Sequence, residues 1–208
     1  MKIQRDEIVD LEFLKDVGVR ELEIDAPAIS HVEALNGKNG LIYLAIRPWG
    51  STRSGNAAID LSPLHELPNL TKLVLGPGVY NISFLKDLPS ITELVIEDAM
   101  SLQGIESVTN LRKLTVGSCG GLQSLQPLKA LNLESLTLAR NRFNKRLWTD
   151  FLDYIGTATD VSVYVEKYKN IPTMQIMKIP ELSGVTDFEF SEDRYWGNSF
   201  SFNISRKP

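Results

Sequence analysis

Six short apolar motifs recur along this chain at nearly constant intervals, and that periodicity constrains the fold more than any single residue does. FLKDVGVRELEID (Phe13–Asp25) and FLKDLPSITELVIED (Phe84–Asp98) are two copies of one pattern. LSPLHELPNLTKLVL (Leu61–Leu75) and LQPLKALNLESLTL (Leu125–Leu138) are two more. Each copy runs through L-x-x-L-x-x-L, or a near variant, into L-x-x-L-x-L. The central apolar residues of the second part are Leu22, Leu44, Leu73, Leu94, Leu114 and Leu136, at intervals of 22, 29, 21, 20 and 22 residues. A unit this short cannot bury its own apolar face, whereas stacked units bury it against one another. The expectation is therefore a solenoid. The L-x-L core supplies a short strand, successive strands align as a parallel sheet, and the preceding segment returns along the convex side as a short 3-10 or irregular turn. Such intervals leave little room for a long convex helix.

The copy LESLTLARNRF (Leu133–Phe143) fits the signature L-x-x-L-x-L-x-x-N-x-L, with Phe143 in the last place. With the flanking IDLSPLHELPNL, the stretch from Phe13 to Phe143 resembles the leucine-rich repeat proteins, in their short bacterial, internalin-like class. The resemblance implies an α/β solenoid, right-handed, with a concave parallel β-sheet that binds other proteins. It implies no reaction. It also places the only cysteine: counting from Leu111 through Leu114 and Val116 puts Cys119 at the Asn/Cys position, which Asn141 fills in the next copy. In the family that side chain turns inward and hydrogen-bonds the backbone at the bend. Leu122 comes one place late, with Gly120 and Gly121 taking up the slack. Cys119 is accordingly read as a packing group and not as a nucleophile.

One domain over residues 1–208 is expected, with 1–11 capping the N-terminal end, 12–146 regular repeats, and 147–208 divergent repeats and a C-terminal cap. LWTDFLDYIG spaces Leu147, Phe151, Leu152 and Ile155 like one face of a helix, with Gly156 to stop it. DVSVYV (Asp160–Val165), VTDFEF (Val185–Phe190) and NSFSFNIS (Asn198–Ser205) alternate as strands do, and read as divergent turns and a cap.

Several function classes drop out. The net charge of −4 lacks the basic footprint of a nucleic-acid binder. One cysteine makes no internal disulfide, and the N-terminus MKIQRDEIVD lacks a signal peptide's apolar core. No window approaches a membrane span. A monomeric, cytoplasmic protein is the expectation. His31 and His65 fall in convex segments without partners at metal-ligand spacing, and no nucleotide or hydrolase fingerprint occurs. The lysine in NGKNG (Asn36–Gly40) precedes a strand instead of following one, which marks a turn and not a phosphate loop. No cofactor and no catalytic activity are expected.

What remains is a surface for a protein partner. Strand side chains alternate between core and concave face. The outward columns then carry Glu21 and Glu23, Tyr43, Lys72, Glu93, Lys113, and, from the divergent strands, Asp160, Asp187 and Glu189. The next positions add Asp25, Arg47, Glu97, Asp98, Arg140 and Glu192. Ten acidic residues against four basic ones make this face acidic and its expected partner basic. The long interval between Leu44 and Leu73 holds RPWGSTRSGNAA (Arg47–Ala58), a surface loop with Trp49. That ring either folds back on a neighbouring turn or stands as an interface anchor.

Overall fold

The computed structural model describes residues 1–49, 59–77, 79, 81–97, 101–117, 122–141, 145–154, 158–165, 178–181, 184–193 and 199–206. Cys119, Asp98 and most of the 47–58 loop lie outside the described residues.

The repeats supply strands β3 (Glu21–Ala26), β5 (Tyr43–Pro48), β6 (Lys72–Leu75), β7 (Glu93–Glu97), β8 (Lys113–Gly117) and β9 (Ser135–Asn141), each parallel to the next. Their register follows the repeat without slip. Leu22, Leu44, Leu73, Leu94, Leu114 and Leu136 form one lateral row and Ile24, Ile46, Leu75, Ile96, Val116 and Leu138 the next. All twelve side chains are fully buried. A one-residue slip of any strand would turn both of its apolar side chains to solvent, so the pattern fixes the register.

Most of the convex returns carry 3-10 turns, as the spacing predicts: Glu12–Leu14, Val32–Leu35, Ser83–Asp87, Ile105–Ser107 and Gln126–Ala130, whereas the described part of the return before β6 is irregular. Side chains two residues ahead open several convex segments by accepting a backbone N–H. Asp10 takes that of Glu12, Asp60 that of Ser62, Asn81 that of Ser83, Ser101 that of Gln103 and Ser124 that of Gln126, at 2.9–3.1 Å. Where the strands begin, a second set ties one turn to the turn before. Asn69 donates to the Asn39 carbonyl (2.8 Å), Ser90 to that of Pro68 (2.5 Å) and Asn110 to that of Pro89 (2.9 Å). The lysine of NGKNG serves the same end, Lys38 Nζ donating to the carbonyls of Leu14, Lys15 and Val17 at 2.5, 3.1 and 2.9 Å.

Both ends depart from the interior. The N-terminal segment contributes β1 (Lys2–Gln4), parallel to β3 and first in the main sheet. Its β2 (Val9–Asp10) pairs with β4 (Ile29–Ser30) in a separate two-stranded sheet. At the other end the helix expected from LWTDFLDYIG is α1 (Lys145–Tyr154), with Leu147 and Phe151 buried. After β10 (Asp160–Val165), still parallel to β9, the direction changes. β12 (Ser199–Arg206) pairs antiparallel with β10, and β11 (Val185–Asp193) lies outermost, antiparallel to β12. VTDFEF and NSFSFNIS are thus strands, as expected, but they make an antiparallel closure in place of further solenoid turns. Phe200 and Phe202 are buried beneath it, Phe202 meeting Phe151 of α1 edge to face with centroids 5.6 Å apart.

Candidate binding face

The side of the sheet opposite the leucine rows carries three outward rows. The first reads Glu21, Tyr43, Lys72, Glu93, Lys113, Ser135, Asp160, Ser205, Asp187 across the strands. The second reads Lys2, Glu23, Ala45, Val74, Val95, Thr115, Thr137, Ser162, Asn203, Glu189. The third includes Gln4, Asp25, Arg47 and, on β7, Glu97. The face therefore has a neutral floor, small and β-branched through its centre, with charges along both margins and at both ends.

Most of the sequence-derived site residues meet here. Lys72 Nζ donates to Glu93 Oε1 at 2.6 Å and lies over the Tyr43 ring, 5.9 Å from its centroid. The Tyr43 hydroxyl donates to Glu23 Oε1 at 3.1 Å. Burial, reinforced by that carboxylate, holds the phenol above its usual pKa, so it stays a neutral donor through the physiological range. Arg47 lies 4.0 Å from Asp25, and Lys2 lies 4.0 Å from Glu23. Glu21, Tyr43, Lys72 and Glu93, with Ile42, Thr71 and Thr92, line an open hollow of about 450 Å³ on this face.

These pairings redistribute the acidity. Three of the face's cations, Lys2, Arg47 and Lys72, already sit beside carboxylates. Glu21, Glu97, Asp160 and Asp187 have no ion-pair partner among the described residues, and neither does Lys113. Glu192 keeps the parity of Phe188 and Phe190 and falls on the core-side row, not on the concave face. Arg140 belongs to β9, but its side chain is not among those described, and Asp98 lies outside the described residues. On the three rows eight carboxylates stand against four cations, counting Lys2, which sequence reading missed. A three-residue strand is too short for alternation to announce it. Repeat register, by contrast, already sets Lys72 beside Glu93.

Trp49 directly follows β5, its backbone N–H donating to the Ala26 carbonyl at 3.0 Å, and the residue is 51% exposed. Arg47 crosses close over the next strand at Gly76, where a Cβ would stand 2.8 Å from the Arg47 Cα and Cγ. Glycine is needed there for that close approach.

The histidines belong to turns. His31 Nδ1 lies 2.9 Å from Asp10 Oδ1, and His65 Nδ1 lies 2.7 Å from the Pro63 carbonyl and 2.8 Å from Asn36 Nδ2. Among the described residues no cluster of His, Cys, Asp or Glu is placed to hold a metal ion. No helix among them is long and apolar enough to cross a membrane.

No family model matches the chain, and no curated protein matches it. Solved structures do. Internalin C2 (inlC2) from Listeria monocytogenes superposes with a TM-score of 0.52 at 16% identity, covering 68% of this chain and 63% of that one. An internalin (inlF) of the same organism superposes with a TM-score of 0.54 at 16% identity, covering 79% and 47%. The chain thus spans less than two thirds of the length of either. At that identity the likeness speaks for the fold, and the continuous parallel sheet, the leucine rows and the 3-10 returns agree with it: this chain folds as a leucine-rich-repeat solenoid of the internalin kind.

Proposed function

We propose that this chain is a non-enzymatic protein-binding module whose concave face receives a partner with a basic surface. The observation that carries the reading is the arrangement of the outward rows: a neutral floor of Val95, Thr115 and Thr137, with Glu97 beside it and Glu21, Asp160 and Asp187 toward the two ends of the face, four carboxylates that have no ion-pair partner among the described residues. Such a face offers apolar contact at its centre and long-range attraction at its margins, the combination that steers association and then holds it. Trp49 and Tyr43 are the aromatic anchors, one exposed beside the face and one half-buried within it. Glu21, Glu23, Asp25, Glu93, Glu97, Lys72, Arg47 and Lys113 complete the contact surface. Binding of this sort suits neutralisation by occupancy, as an immunity-type protein covers a toxin or enzyme in the cytoplasm.

The test is kinetic, on the partner captured from native lysate. Glu21→Lys and Glu97→Lys together are expected to slow association by about tenfold at low salt, and added salt should slow the wild type similarly. The convex reversals Glu33→Lys and Glu66→Lys should leave the on-rate unchanged. Adding the protein to the partner and assaying the partner's activity separates blocking from scaffolding. A salt-independent on-rate, or a larger effect from the convex pair, would remove the concave face as the site.

A further inference from the structure

The first turn leaves exposed the apolar positions that an interior turn buries. Aligning the two FLKD segments pairs Phe13 with Phe84 and Ile8 with Val79. The correspondence is structural as well, since Asp10 and Asn81 each accept the N–H two residues on at 2.9 Å. Yet Phe13 and Ile8 are 53% and 68% exposed, whereas Phe84 and Val79 are 3% and 0% exposed. The interior copy has a neighbouring turn stacked on that side, and among the described residues the first copy has none. Together with Met1, Ile8 and Phe13 line an open hollow of about 410 Å³ on the outer side of the first turn.

The adjoining strand is unsatisfied in a matching way. Glu23 donates its N–H to the Met1 carbonyl at 3.0 Å and Asp25 accepts that of Arg5 at 3.1 Å, with Ile3 opposite Ile24 between them. The odd-numbered residues of this segment direct their backbone groups toward β3. Lys2 and Gln4 therefore turn their N–H and C=O groups away from the sheet, at the margin where β1 is the last strand.

We propose that this end face pairs with the same face of a second copy of the chain, in place of the monomer expected from the sequence. In the pairing, β1 lies antiparallel to β1 about a two-fold axis at Ile3. That axis sets Lys2 of each copy opposite Gln4 of the other, so the outward groups exchange two pairs of hydrogen bonds on either side of a non-bonded Ile3–Ile3 pair. On the concave side the charges are complementary, the second copy's Lys2 coming into line with Gln4 and Asp25, while the Met1 ammonium of each copy, which donates to the Glu21 carbonyl, stands opposite Arg5 of the other. Behind the sheet Ile8 and Phe13 meet their equivalents, with Arg5 and Glu7 on the rim of the same hollow supplying both signs. An isologous contact of this kind closes on itself and does not propagate into a fibre. It joins two ten-stranded sheets through their N-terminal edges.

Sedimentation velocity of the full chain from about 1 µM to 1 mM, the range of weak association, tests the proposal. The wild type should shift from monomer to dimer. Phe13→Asp should remain monomeric. Gln4→Pro should remain monomeric too, because it deletes an outward N–H that β1 does not use internally, and circular dichroism matched to the wild type shows that it folds. A wild type that stays monomeric at the highest concentration overturns the proposal, as does a dimer that both variants preserve. A dimer abolished by Phe13→Asp but untouched by Gln4→Pro overturns the strand pairing.

Discussion

Asp150 shows how much one side chain fixes. It is buried on α1 and accepts hydrogen bonds from Ser124 Oγ (2.7 Å), the Leu125 N–H (3.0 Å) and Gln126 Nε2 (2.8 Å), which tie the helix to the convex turn beginning at Gln126. Burial pushes its pKa up, and those three donors together outweigh burial and hold it below the usual carboxylate range. A depressed folded-state pKa contributes stability at neutral pH that disappears as pH falls through that value. Asp150→Ala should therefore cost about 2 kcal/mol at pH 7, with the gap between variant and wild type narrowing in denaturant melts taken near pH 3. Gly76→Ala forces Arg47 backbone and side chain off their strand and should lower stability by about 1–3 kcal/mol in thermal melts. Trp49→Ala removes a half-exposed side chain, so stability should fall by no more than about 1 kcal/mol while partner affinity falls.

At the scale of elements, the turns are held to one another by side chains that the leucine pattern does not reveal. Asn69 and Asn110 each donate to a carbonyl of the preceding turn. Replacing either with alanine should cost about 1 kcal/mol, and the two losses should add, since two turns separate them and they share no partner. Urea melts of the single and double variants check both statements. The strands and their register were legible because L-x-L and its intervals state which residues face inward. The tie residues were not, because an asparagine in a loop is common and only its position against the previous turn gives it a partner. Strand direction was illegible for a different reason. Phe200, Phe202 and Ile204 alternate identically whether their strand runs with β10 or against it. The exposure of Trp49 was equally beyond a pattern that describes the core alone.

For the whole molecule, charge was readable in sum and not in arrangement. The sequence places the excess of carboxylates on the concave columns; the structure shows Lys72, Arg47 and Lys2 beside neighbouring acids, while Glu21 and Glu97 have no ion-pair partner among the described residues. The order of strands at the C-terminal end has a consequence of another kind, in the timing of synthesis. Each interior turn finds its sheet neighbour about twenty residues earlier in the chain, so it can dock as soon as it leaves the ribosome. β11 cannot. Its sheet neighbour β12 is made after it and must slot between β10 and β11. Until β12 emerges, β10 presents an open edge and β11 lacks its strand partner. A chain stopped at Asp193 should thus lose β11 as well as β12, and hydrogen exchange on that truncation should show Val185–Asp193 unprotected while β3 to β8 remain protected. The growing chain is open to mispairing at the β10 edge and along β11 until β12 arrives between them.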